Sequence, residues 1–465
     1  MARPPAGSSP RPRRLVIEPP PADWPEPAAA RSTLAADHEA APPPVFSGHQ
    51  AQLWHPGILA KDLVAAAAAE RFHADARHLV VDQDAHAVWR LDVPRQDGDA
   101  VTADAVLLAP HRAAAPTGYQ PPADPDTLKA NLASLPGDAG QRLADAIDHA
   151  AASEPATLAR QVAAITARLA AAAGDGADPP RVFMTDLARG EAFRDLVLQM
   201  TRDPERCVRA YNAEAAKRPE AGIRPLSLTR ELIELPLWAC RWNQPRREVF
   251  VDVSDRRHRL VFEDGTPIGG DSDVLPRALA MTAYLRGGRI AMFVHGLGGG
   301  VYDRITEAWW ERWRGEALAP SVVATADVVL DFDAPVADRS EVSAARWHRH
   351  HAPHNVDVLL GLDAPEVRRK WALLDHMDDD RDKARRSAAY FEIQAINQTL
   401  RRAHPGVVAA ADRRLARARL GVVNAAVARR RDWPLPLYAP DALAELRSAV
   451  RARVLQPCGC GGGEA

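Results

Sequence analysis

The stretch Val45-Phe-Ser-Gly-His-Gln-Ala-Gln-Leu-Trp-His-Pro-Gly-Ile-Leu-Ala-Lys61 decides how this chain reads. Val45 and Phe46 close a short buried strand, Ser47 and Gly48 turn the chain, and an Ala- and Leu-rich segment running to about Phe72 reads as a helix. Pro56 suits the first helical position, where the N–H it lacks would have had no partner anyway. His55 is then the N-cap, and the N–H groups from Gly57 onward face open space. A strand, a glycine turn and an open helix N-terminus make an anion site. His49 and His55 flank it, Gln50 adjoins it, and Lys61 follows on the next turn. A plain strand–turn–helix with capping histidines is the alternative. Lys61 is one of only five lysines among 59 Lys and Arg residues, which singles it out in a chain that otherwise uses arginine.

Working outward, His78-Leu-Val-Val-Asp82 reads as a second parallel strand. Asp82, Asp84 and His86 follow at its carboxyl end, where open α/β sheets place ligands. They suit a divalent ion such as Mg2+, a ribose hydroxyl, or merely the start of a loop. Residues 89–93 and 101–108 alternate and read as a pair of strands. Residues 112–220 form a helical insertion, with Leu158, Val162, Ile165 and Leu169 on one apolar face. Strand-like runs between 230 and 265 suggest a small antiparallel patch.

A second sharp feature lies late in the chain. The apolar run 290–294 leads into His295-Gly-Leu-Gly-Gly-Gly-Val-Tyr-Asp303, with a helix expected from about Asp303. Gly296, Gly298, Gly299 and Gly300 admit positive φ and close approach of a ligand. Their spacing fits neither the phosphate-binding P-loop nor the dinucleotide fingerprint. Paired with Gly48 they predict a nucleotide site that includes His295, Tyr302 and Asp303. Residues 322–330 read as another strand.

The ends are plainer. Residues 1–42, rich in Pro, Ala and Arg, read as a disordered leader. The His-rich run 346–354 reads as a polar helix face, because no carboxylate or cysteine stands at metal-ligand spacing. From 346 to 438 the pattern is an antiparallel helical hairpin, coiled-coil-like, through which a homodimer would form. A last helix covers 439–456, and a flexible tail carries Cys458 and Cys460. The formal net charge of −2 and the dispersed arginines argue against a nucleic-acid partner. Four cysteines suit a reducing compartment. With no apolar run of about 18 residues, a membrane partner is not expected and the cytoplasm is.

Gly48-His-Gln50, His55-Pro-Gly57 with Lys61, and Asp82-Gln-Asp-Ala-His86 together resemble the N-terminal part of the cysteine-adding enzymes of bacillithiol synthesis. Their pattern is a Gly-Gln-Gln turn, a Thr-Gly-Pro segment leading to a lysine, and an acidic stretch after the second strand. The likeness covers residues 43–440 and is thin outside these motifs. It implies an α/β fold with a Rossmann-like, nucleotidyltransferase-type core, a helical insertion and a C-terminal antiparallel coiled coil. The implied reaction is ATP-dependent ligation of an amino acid, cysteine among the candidates, to a small-molecule acceptor. ATP or ADP with Mg2+ would be the cofactor, His49, His55 and Lys61 the catalytic groups, and Arg277 a substrate ligand. In the wider His-x-Gly-His class, Ile58 stands where the second histidine belongs, and His49 replaces a glutamine. A non-catalytic nucleotide binder and a nucleotidyltransferase remain the alternatives.

Overall fold

The computed structural model describes residues 12–25, 42–110, 114–175, 177–254 and 257–456. In chain order the elements begin with β1 (Pro12–Glu18), β2 (Val45–Gln50), α1 (Pro56–Phe72), β3 (Ala76–Val81), β4 (Arg90–Asp97) and β5 (Ala100–Leu107). Next come α2 (Pro125–Ala130), α3 (Ala139–Ala151), α4 (Leu158–Ala170), β6 (Arg181–Phe183), α5 (Met184–Ala188), α6 (Glu191–Arg202) and α7 (Pro204–Ala216). The strands β7 (Leu232–Cys240), β8 (Arg247–Asp252), β9 (Arg259–Val261) and β10 (Asp273–Pro276) precede α8 (Ala278–Arg286), β11 (Met292–His295), α9 (Leu297–Arg314) and β12 (Ser321–Val328). The chain ends through α10 (Arg339–His351), α11 (Val356–Leu360), α12 (Pro365–Asp379), α13 (Lys383–Ala403), α14 (Gly406–Ala428) and α15 (Pro440–Leu455).

These elements fall into two units. The larger holds 12–93, 104–330 and 431–456 of the described residues; the smaller holds 94–103 and 331–430. In the larger unit, six strands form a sheet in the order β1-β12-β11-β2-β3-β6. Pairings from β12 to β6 are parallel, and β1 closes the edge antiparallel to β12. The fold is therefore α/β. From β2 the chain moves to β3 on one side, and from β11 to β12 on the other. Right-handed crossovers put α1 and α9 on opposite faces and leave a crevice at the carboxyl ends of β2 and β11. Phe46, Leu79 and Phe293 pack on the α9 face with Trp309, Trp310 and Trp313. Trp309 and Trp313 stack there, 5.6 Å apart. A four-stranded sheet in the order β10-β7-β8-β9 adds to the same core.

Several sequence expectations change here. The leader contains an ordered segment: Leu15 to Glu18 pair with β12, and Trp24 is buried with its indole N–H on the Pro19 carbonyl. Outside residues 12–25 and 42 the expected leader lies beyond the described residues, as does the Cys458/Cys460 tail. The helical insertion contains β6, a three-residue strand too short to register as a pattern, which caps the sheet beside β3. Gly48 is not a turn. It lies inside β2, where an added Cβ would sit 3.1 Å from both Leu79 and Phe293. The glycine-rich segment is not a loop before a helix at Asp303; it is the first turn of α9. None of its glycines has positive φ. Instead, a Cβ at Gly300 would collide with Val323, and one at Gly299 would lie 2.5 Å from His295 Nδ1. Packing overrides the poor helix propensity of glycine.

In the smaller unit, Asn424 is fully buried and ties three segments together. Its Nδ2 donates to Asp99 O at 2.7 Å and Pro335 O at 2.8 Å, and its Oδ1 accepts from Val101 N at 3.0 Å. The expected hairpin is partnered differently: α14 packs on α10, and α13 packs on α12. The expected single long first helix is two helices, broken at residues 380–382. Tyr390 and Phe391 of α13 are exposed.

Candidate functional site

The crevice between β2 and β11 opens into a cavity of about 530 Å³. The size suits a small-molecule ligand. Gly48, His49 and Gln50 from β2, and Gly57 and Lys61 from α1 with its cap His55, line one side. His295, Gly296, Gly298, Gly299 and Tyr302 line another, while Pro276, Arg277 and Met281 close it from the β10–α8 corner. The two glycine-bearing segments far apart in sequence thus meet, because β11 pairs directly with β2, Val294 opposite Ser47.

The two helix starts differ in their free donors. At α1, Pro56 has no N–H, Gly57 donates to His55 Nδ1 at 3.1 Å, and Ile58 and Leu59 donate to His55 O at 2.9 and 3.2 Å. His55 is the N-cap as the sequence suggests, but it consumes the amides expected to face a ligand. At α9, Gly296 is the N-cap and has no side chain to offer, and Gly300 N returns to Gly296 O at 3.2 Å. The amides of Leu297, Gly298 and Gly299 are left without an acceptor among the described residues, and all three residues line the cavity. Such donors at the start of an 18-residue helix are of the kind that can receive an anion. The start of α8 is also without a side-chain cap, and Ala278 lines the same cavity.

Lys61 is 3% exposed; its Nζ donates to Gly48 O at 2.5 Å and lies 3.2 Å from His49 Nδ1. No carboxylate pairs with it among the described residues. Its neighbour Asp62 is taken by Ser47, by His78 Nδ1 at 2.7 Å and by Arg181 at 2.9 Å, all within the sheet–α1 interface. Burial lowers the Lys61 pKa to about 8. A protonated Lys61 can only donate, and the Gln52 amide Nε2, 2.7 Å from His49 Nε2, can only donate as well, so a neutral His49 ring accepts at one of these two contacts and not at both. Burial, with Lys61 next, holds the His49 pKa well below its usual value, and burial with Arg431 lowers that of His55 to about 4. Both rings are neutral at pH 7. The other charges are matched: Arg277 with Glu234 at 2.8 Å, Arg431 with Asp327 at 2.6 Å, and Asp84 with Arg246 at 2.5 Å.

The expected acidic cluster is dispersed. Asp82 does not line the cavity; it is buried, accepting from Thr185 Oγ1 at 2.5 Å and Thr185 N at 3.1 Å, and burial raises its pKa to about 6. Asp84 does line it, with its oxygens on Gln50 and Arg246. His86 lies apart, its Nε2 3.0 Å from Ala51 O. These three do not fit Mg2+ as a shared ion, and no cluster of three or more His, Cys, Asp or Glu able to hold a metal occurs among the described residues. Asp303 and Gly300 sit behind the cavity. Asp303 is buried against Arg286 Nη1 at 2.5 Å and lies 3.1 Å from His295 Nε2. Although burial raises its pKa, His295 and Arg286 hold it below the usual carboxylate range.

Some lining residues carried no sequence signal. Gln83, 1% exposed, is held by Nε2 on Pro276 O at 3.2 Å, and its Oε1 has no partner among the described residues. It stands between two carboxylates, Asp82 and Asp84, and no spacing pattern marks it. Trp238, sandwiched with Arg246 and Arg277 at 4.4 and 4.1 Å, comes from the second sheet. Arg431, whose Nη2 donates to Thr325 at 2.8 Å, arrives from far along the chain. No helix among the described residues is long and apolar enough to cross a membrane. Neither a protein-family model nor a curated protein sequence matches the chain.

Proposed function

We propose that the cavity holds the phosphates of a nucleotide, ATP or ADP, and that the protein is a ligase-like enzyme joining an amino acid to a small-molecule acceptor on a Rossmann-like core. One observation carries this reading: the unpaired amides of Leu297, Gly298 and Gly299 open onto the same cavity as Lys61, a buried lysine with no carboxylate partner. Amides at a helix start receive phosphate oxygens, and a nearby ammonium offsets charge that grows in a transition state. Tyr302 and the apolar wall of Met281 and Phe293 would face the rest of the ligand. Because Asp82 and Asp84 are spent on protein partners, Mg2+ accompanying the nucleotide would be held by the phosphates and water rather than by these carboxylates.

A second reading, a nucleotide-binding protein without turnover, draws on a specific observation as well. His55 is committed to capping α1 and Lys61 to the Gly48 carbonyl, so two of the three expected catalytic groups are already engaged. Thermal unfolding with ATP, ADP or AMP tests the site, because a ligand that favours the native state raises the midpoint. We expect a rise with ATP that is lost in Lys61→Met. No rise with any nucleotide at millimolar concentration would end both readings. ATP consumption that depends on an added amino acid separates the ligase from the binder.

A further inference from the structure

The chain buries two lysines, and they are held in opposite ways. Lys370, 1% exposed, has three acceptors for its three protons: Asp357 Oδ1 at 2.7 Å, His354 O at 2.8 Å and Asn355 Oδ1 at 3.2 Å. Asp357 gives it a buried carboxylate partner. Lys61 has two neutral partners, Gly48 O and His49 Nδ1, and no carboxylate among the described residues. Its side chain runs beside the start of α9: a methyl group built on Gly296 would sit 3.6 Å from Lys61 Cδ. The amine and the unpaired amides of Leu297, Gly298 and Gly299 therefore serve one cavity.

We propose that Lys61 is a nucleophilic amine and that the cavity captures a phosphorylated aldehyde or ketone as an imine. The phosphate sits on the α9 amides, and the carbonyl carbon faces Nζ. The neutral amine attacks that carbon, and the carbonyl π electrons move to oxygen. Two protons then pass from nitrogen to that oxygen, the first making it a hydroxyl and the second releasing it as water as the C=N bond forms. Amine and carbonyl thus become imine and water, with no oxidant or further reactant. Burial favours the reaction by lowering the Lys61 pKa to about 8. Near neutral pH its free-amine fraction is then larger than that of an ordinary lysine by roughly two orders of magnitude. This inference goes beyond the nucleotide reading and does not require it.

Pyridoxal 5′-phosphate is a suitable probe, since it joins an aldehyde to a phosphate. The whole protein is exposed to it briefly, reduced with borohydride and mapped by peptide mass spectrometry; with five lysines in the chain, each site is read separately. We expect Lys61 to be labelled at least about tenfold faster than Lys129, Lys217 and Lys383, and Lys370 to remain unlabelled. Pyridoxal, which lacks the phosphate, should label Lys61 far more slowly. Label confined to the other lysines, or equal rates at Lys61 for the two aldehydes, would overturn the proposal. Lys61→Arg should abolish the fast phase; if that variant does not fold, the wild-type map decides alone. Fast labelling of Lys61 that persists in saturating ATP would uphold imine capture while counting against the nucleotide reading.

Discussion

The starts of α1 and α9 stand side by side at the same crevice, and both follow parallel strands, yet only one is free to hold an anion. At α1, His55 takes the Gly57 amide with its ring and two more amides with its carbonyl. At α9, Gly296 offers no side chain, and three amides remain unpaired among the described residues. The lesson is that a strand–turn–helix motif does not by itself make an anion site; what matters is whether the preceding residue satisfies the first turn. The histidine that makes the first motif conspicuous in the sequence is also what closes it.

The largest test strikes what fixes the α1 side. Asp62 is fully buried among Ser47, His78 and Arg181. Removing one member of a buried charged group leaves the others uncompensated, so Asp62→Ala should cost about 3–5 kcal/mol in urea unfolding. A loss under about 1 kcal/mol would show that this network does not anchor α1.

Next in size is a pH effect. Burial, outweighing Asp62, lowers the His78 pKa to about 4, and His55 also falls to about 4. Between about pH 6.5 and 4 the unfolded chain binds more protons at these sites, so stability falls as pH falls through that window, by on the order of 3 kcal/mol for His78. Asp62 has a depressed pKa, chiefly through His78 and Arg181 acting against burial, and extends the loss to lower pH. His78→Gln should flatten the dependence of the urea midpoint on pH; an unchanged slope would remove His78 as its source. Protonated His55 cannot accept from Gly57, so acid should also open the α1 start.

Two smaller changes act on the ends directly. Gly299→Val would drive a Cβ into His295, costing about 1–3 kcal/mol by overpacking and abolishing the thermal shift with phosphate ligands. Gly298→Ala meets nothing within 4 Å and should fold normally; a comparable loss there would mean that the first turn of α9 is not packed as described. Smallest of all, His55→Ala should cost about 1 kcal/mol as a lost cap. If it also strengthened anion binding, α1 would be a latent second site.

The sequence singled out residues that the structure brings to one cavity, without showing which partners each would have. Gly48, His49, Lys61, His295 and Gly296 were found because strands followed by glycines and a helix can be recognised locally, and all line the cavity. The reading that Asp82 and Asp84 act together failed because neighbours two apart on an extended chain can share a face while their partners differ. Thr185 claims the first, and Gln50 and Arg246 the second. The hairpin of α13 and α14 failed for a related reason: apolar periodicity gives a helix its buried face without naming the helix that covers it.

What the sequence by itself determined were the local elements: β2, α1 with Pro56 and His55 at its start, β11, and the parallel α/β class. Short-range sterics, capping and hydrophobic period set these within a few residues. Tertiary structure alone decided that β11 lies against β2 and that, among the described residues, α9 rather than α1 keeps free amides and Lys61 is buried without a carboxylate partner. Each of these depends on which groups from distant segments arrive to satisfy, crowd or leave unpaired a given atom, and spacing along the chain carries no record of that.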